Sequence, residues 1–143
     1  MNRRSLILAL PLVATAAACT PAPMPDGPLA GHGMVTVGVT ATYRERILLP
    51  PGHVLTIRVE DVSRADASAI VMAEHVEILD GRAPPYSAQL GFPASQVNPN
   101  YTYAVRAEIR DPQGRLRFTT DTRHAVLTYG APSNVDIVMV GVR

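Results

Sequence analysis

Tyr101-Thr102-Tyr103-Ala104-Val105-Arg106-Ala107-Glu108-Ile109-Arg110, followed at once by Asp111-Pro112-Gln113-Gly114, is the stretch that decides the fold class. Tyr101, Tyr103, Val105, Ala107 and Ile109 recur every second residue, while Thr102, Arg106, Glu108 and Arg110 fill the opposite face. That is the period of a half-buried strand. The four residues after it carry turn chemistry at each position, so the strand is expected to turn back and pair with Leu116 to Thr120 as a hairpin.

The same alternation recurs on either side of this hairpin. Val35, Val37, Val39 and Ala41 oppose Thr36, Thr40 and Thr42 in a first strand, and Leu55, Ile57 and Val59 oppose Thr56, Arg58 and Glu60 in a second. Leu49-Pro50-Pro51-Gly52 separates the two, since proline withholds a ladder donor and glycine permits a turn. Ala69 to Ile78 predicts a third strand with Ile70, Met72, Val76 and Ile78 inward. Glu74 interrupts that face, a conflict that a bulge or a sheet edge near Glu74 would resolve. Tyr86, Ala88, Leu90 and Phe92 define a fourth strand after the Asp80-Gly81 turn, and a helix of at most one or two turns is expected near Pro93 to Val97. A short strand around Ala125 to Thr128 and a last one from Val135 to Val142 complete seven or eight. The last is apolar on both faces and is expected to be central in its sheet or covered on its second side. These elements predict an all-β domain over residues 34–143, a small antiparallel β-sandwich in preference to a closed barrel.

Upstream the chain changes character. Arg3-Arg4 introduces an apolar run from Leu6 to Ala18, and Ala16-Ala17-Ala18 leads directly to Cys19, the single cysteine. Thirteen apolar or small residues reach only about 20 Å as a helix, against a hydrocarbon core of roughly 30 Å, so residues 1–18 have the make-up of an export signal and not of a membrane span. A cysteine at such a cleavage point is the acceptor of a lipid anchor, with its thiol becoming a thioether to diacylglycerol. The alternative is ordinary cleavage after an Ala-x-Ala site, with an incidental cysteine. Residues 19–33 then form the lipidated cysteine and a tether, because Pro21, Pro23, Pro25 and Pro28 with Gly27, Gly31 and Gly33 cannot bury a core. Thr20 stands where lipoproteins retained in the inner membrane of enteric bacteria carry aspartate, which points to the outer membrane, facing the periplasm.

Composition excludes several functions. The chain has 13 basic and 12 acidic residues, all the basic ones arginine, and loss of Arg3 and Arg4 with the signal leaves it nearly neutral. It has no basic run or aromatic-basic stripe for nucleic acid. One cysteine allows no intramolecular disulfide. His32, His53, His75 and His124 are widely spaced, and around Glu74-His75 only His75 and Glu77 would share a strand face, so no metal site and no cofactor is expected. Ser63, Asp121 and His124 could be written as a nucleophilic triad, but no nucleophile-elbow context supports it, and no catalytic residue is expected. Glu60 to Ala67 is dense in charge. It reads as a solvated loop in which Asp61 or Asp66 accepts local hydrogen bonds, with partner recognition as the sharper alternative. Tyr43-Arg44-Glu45-Arg46 is expected to form surface ion pairs.

At Tyr43 to Ile47, Leu49 to Gly52, Leu55 to Asp66, Tyr101 to Ala107 and Asn134 to Val140, the chain resembles the YbaY family of bacterial lipoproteins, which is grouped with the type III secretion lipoprotein chaperone, or pilotin, YscW. The resemblance implies a transthyretin-like β-sandwich, lipid-anchored in the outer membrane, with no enzyme activity and no catalytic residues to carry over. The leading expectation is therefore a non-enzymatic envelope lipoprotein that binds another envelope protein or assists its assembly. The alternative is a carrier of a small apolar ligand or lipid between its sheets, which would need an internal cavity above about 300 Å³.

Overall fold

The computed structural model describes residues 33–143; the expected signal segment, Cys19, the rest of the expected tether to residue 32, and His32 lie outside them. Eight strands follow one another: β1 (Met34–Tyr43), β2 (Val54–Asp61), β3 (Ile70–Ile78), β4 (Tyr86–Pro93), β5 (Tyr103–Arg110), β6 (Leu116–Thr119), β7 (His124–Val126) and β8 (Asn134–Gly141). The one helical element among the described residues is a 3₁₀ turn at Ala94–Gln96.

β5 begins at Tyr103, two residues later than its alternation suggests, and pairs with β6 as expected. Asp111 shapes the turn between them by accepting the Gln113 and Arg115 backbone N–H groups and Arg115 Nε, at 3.1, 2.9 and 2.8 Å. Burial works against its charge, but these hydrogen bonds and the Arg115 guanidinium outweigh that and hold its carboxyl below the usual range.

Hydrogen bonding runs in the order β3-β2-β5-β6-β8-β1-β4, with β7 also on β5. The two ends of this path, β3 and β4, lie alongside each other without a ladder. The result is one nearly closed, barrel-like roll, and this refines the expected pair of stacked sheets. What joins the halves is a short β6–β8 ladder, Phe118 opposite Gly141 and Thr119 opposite Val140. The expectation of purely antiparallel pairing is corrected as well. β1 and β8 run parallel, from Gly38 opposite Asn134 to Tyr43 opposite Met139. Parallel neighbours need a long connection, here all of β2 to β7, so no local turn in the sequence could announce them.

The core follows the alternation. Val37, Val39 and Ala41 of β1, Leu55, Ile57 and Val59 of β2, Tyr86, Leu90 and Phe92 of β4, Val105, Ala107 and Ile109 of β5, and Ile137 and Met139 of β8 are all buried in one cluster. β8 lies between β6 and β1, so it is central. Its second face is covered only in part: Val138 is half-buried and Val140 is exposed.

The β1–β2 connection is clamped. Gly52 has φ 96°, and its N–H donates to Leu79 O at 2.9 Å. A ring nitrogen of the buried His53, Nδ1, lies 2.8 Å from Pro50 O. A Cβ on Gly52 would sit 3.3 Å from Pro112 Cγ in a backbone region that side chains avoid. Gly52→Ala is expected to cost about 1–2 kcal/mol, read as a lower urea midpoint at unchanged slope; an unmoved midpoint would show that the turn relaxes freely.

Candidate functional site: the open seam between β3 and β4

β3 departs from its expected phase, and the departure creates the most unusual surface of the fold. Across the β2–β3 ladder Val59 faces Ala73 while Glu60 faces Val71, so Met72 is the extra residue of a bulge. The bulge therefore sits two residues before Glu74. Ile57 faces His75 and Leu55 faces Glu77, and directly opposed residues share a face. His75 and Glu77 thus turn inward with the fully buried Ile57 and Leu55. Val76 and Ile78, expected inward, are instead 57% and 71% exposed on the outer face, and Ile70 is 52% exposed.

Charge is tolerated on the inner face because β3 stands at the seam. Glu77 Oε1 accepts from Arg82 Nη2, and the Arg82 guanidinium carbon lies 5.2 Å from the Tyr86 ring centroid at the start of β4. Tyr86 Oη donates to Arg82 O at 3.1 Å. The Tyr86 phenol is pushed well up, first by burial and then by the neighbouring Tyr43 hydroxyl, with Arg82 pulling weakly the other way. His75 Nε2 is buried without a hydrogen bond, 3.7 Å from Glu77 Oε2. Glu74 points away and meets Arg58 Nε at 2.9 Å on the outer face. His75 and Glu77 therefore share a face, as the sequence suggests, and find no third ligand. No group of three metal-binding side chains occurs among the described residues.

The triad written from sequence is not assembled. Ser63 Oγ donates to Asp61 Oδ1 at 2.5 Å and accepts from Thr102 N–H at 2.8 Å. His124 and Asp121 instead line a surface groove of about 340 Å³ with Arg44, Glu45, Thr122 and Asp136, on the outer side of β8, and Ser63 takes no part in it. Asp61 also accepts the Ser63 backbone N–H at 2.9 Å, so the charged loop has the local hydrogen bonding of a solvated turn.

The Tyr43 to Arg46 segment behaves differently from its expected ion pairs. Tyr43 is buried, stacked on Phe118 with centroids 4.5 Å apart, and its hydroxyl donates to Ile47 O at 3.1 Å. Glu45 Oε1 accepts from Gly141 N–H at 3.2 Å. This carboxylate holds two segments together across 96 residues of sequence, a role its neighbours in the sequence give no sign of.

A second groove, of about 390 Å³, is lined by Ile47 to Pro51, His53 and residues of the Asp111 to Arg117 hairpin. Both grooves open at the surface of the roll. None of the described helices is long and apolar enough to cross a membrane.

Known proteins place this geometry in context. The YscW family, described as the type III secretion system lipoprotein chaperone, matches residues 32–139. The uncharacterized lipoprotein YbaY of Escherichia coli (strain K12) is 34% identical over 107 residues, which is 75% of this chain and 55% of YbaY. The chain thus spans about half the length of that curated relative. Among solved structures, an alternative pilotin from the type II secretion system of Vibrio cholerae aligns with a TM-score of 0.74 at 35% identity, covering 78% of this chain and 99% of that one.

Proposed function

The chain belongs to the YscW family of type III secretion system lipoprotein chaperones, and from that premise we propose that it is a non-enzymatic envelope lipoprotein that binds another envelope protein or assists its assembly. The observation that carries this reading is the alignment of an alternative pilotin over 99% of its length at 35% identity, since the whole of that solved chain matches this β-roll. The family is of chaperone type, which supports the same reading.

The anchor belongs to the same proposal. Residues 1–18 direct export, Cys19 receives the lipid, and residues 19–33 hold the domain at the outer membrane, facing the periplasm. Docking on the domain is proposed at its open strand edges. Among the described residues β3 has no ladder partner on its far side and shows Val76 and Ile78 to solvent, and an added strand could satisfy its free backbone groups.

Affinity capture from detergent-solubilised envelopes tests the reading. The lipidated protein is expected to enrich one envelope protein reproducibly over a Cys19→Ser control. Repeated failure to enrich any would count heavily against a chaperone role.

A further inference from the structure

The end of the roll remote from Gly33 carries an apolar loop whose backbone is braced and whose side chains are not covered. Ile47 is 49% exposed and Leu48 is 62% exposed. Tyr43, itself buried against Phe118, holds Ile47 O, and His53 holds Pro50 O. The loop is thus fixed from beneath while Ile47 and Leu48 project. Val142, 43% exposed, lines a groove with Ile47, Arg117 and Arg143. Ile47 and Arg117 also line the adjoining groove with Leu48 and Arg115, so one surface carries three exposed aliphatic side chains among arginines.

Arginine is in excess there, with Arg46, Arg117 and Arg143 set against the one carboxylate of Glu45 that lines the same groove. Glu45 is engaged by Gly141 N–H, and Asp111 is engaged by Arg115. Among the described residues, neither Arg117 nor Arg143 has a carboxylate within 4.0 Å, and the same is true of Arg46, the neighbour of Ile47. Aliphatic side chains on a braced loop, ringed by unpaired arginines, match the interface of an anionic bilayer, where the apolar tips enter the acyl boundary and the guanidiniums meet lipid phosphates.

Reach allows it. β1 rises about 30 Å from Met34 to Tyr43 and carries the patch to the far end of the roll. The fourteen residues from 20 to 33 can span about 45 Å from Cys19, so the domain can turn its far end back onto the membrane that holds its anchor.

We infer that the Ile47–Leu48 loop, with Val142 and the arginines Arg46, Arg117 and Arg143, is a second membrane contact that docks the domain on an anionic lipid surface. The reach argument rests on the proposed anchor at Cys19; the patch itself does not. Docking in this way leaves the β3 edge, on the outer wall of the roll, free for a protein.

The chain contains no tryptophan, so Leu48→Trp places a single indole in the patch and Val76→Trp places one on the β3 outer face. Each full-length, processed protein is reconstituted in phosphatidylethanolamine vesicles containing brominated phosphatidylglycerol, and mass spectrometry of the amino terminus reports the anchor separately. The indole at position 48 is expected to emit further to the blue and to be quenched several-fold more than the one at position 76. Arg117→Gln with Arg143→Gln, added to Leu48→Trp, is expected to lower the docked population about thirtyfold, at roughly 1 kcal/mol for each arginine near an anionic surface. Position 48 quenched no more than position 76 in a lipidated chain overturns the inference and leaves the patch to a protein partner. Quenching at position 48 in a chain with an unmodified amino terminus upholds the patch and retires the anchor. Equal quenching in vesicles of brominated phosphatidylcholine alone overturns the role given to the arginines.

Discussion

Tyr86→Ala is expected to lower the stability of the domain by about 3–5 kcal/mol, among the largest losses available to a single side chain in this core. Tyr86 is fully buried at the start of β4, where the sheet path ends. Its ring lies 6.5 Å from that of Tyr43, Arg82 rests over it at 5.2 Å, and its hydroxyl ties the chain at Arg82. Truncation would empty the seam and release the Arg82 contact together. Tyr86→Phe separates the two effects. It keeps the ring and removes one hydrogen bond, at a cost of about 1 kcal/mol.

The same pair gives a test in pH. The phenol is raised in the folded state, while in the unfolded chain it titrates near its ordinary value of about 10. Below that pH both states hold the proton and the site contributes no slope. As pH rises through about 10 the unfolded chain releases a proton that the folded chain keeps, so the Tyr86 contribution to stability falls on the alkaline side. Urea midpoints measured from neutral pH into the alkaline range should fall less steeply for Tyr86→Phe than for the parent. Parallel curves would mean that the phenol is free to ionise in the fold.

How much of this was legible depended on whether the signal was local. β2, β4 and β5 each carry a regular apolar face, and each of those faces is buried. β3 offered two faces, and the more apolar one, with Ile70, Val76 and Ile78, ended outside. Hydrophobicity chose wrongly there because His75 and Glu77 are accommodated at a sheet edge, where Arg82 reaches across the seam and no ladder follows. A bulge at Met72 also shifts the phase midway, and Glu74, two residues on and out of step with the apolar face, is its sign in the sequence. The parallel β1–β8 pair and the Glu45 clip on Gly141 join residues nearly a hundred positions apart. Such contacts depend on closure of the whole roll, which local pattern does not encode. Ile47 and Leu48 carry no alternation that marks them as a surface patch, and their exposure rests on Tyr43 turning inward beneath them.

Cys19→Ser is expected to shift the protein from the membrane fraction almost entirely to the soluble fraction or to an uncleaved precursor, while the β-roll stays folded. The separation of effects follows from where the residues lie. Every core side chain among the described residues belongs to residues 35–139. The proposed anchor is expected to supply most of the hold on the membrane. Acyl chains contribute about 0.8 kcal/mol per buried methylene, and two or more of them hold far better than the marginal attachment of one. The Ile47–Leu48 patch offers three partly exposed aliphatic side chains, enough to orient a tethered domain and too few to retain a free one. The parent should therefore resist extraction by high salt, and its amino terminus should carry an acylated Cys19 by mass spectrometry. The domain released by Cys19→Ser should keep its urea midpoint. An unmodified amino terminus at another residue would overturn the anchor, and with it the assignment of residues 19–33 as a tether.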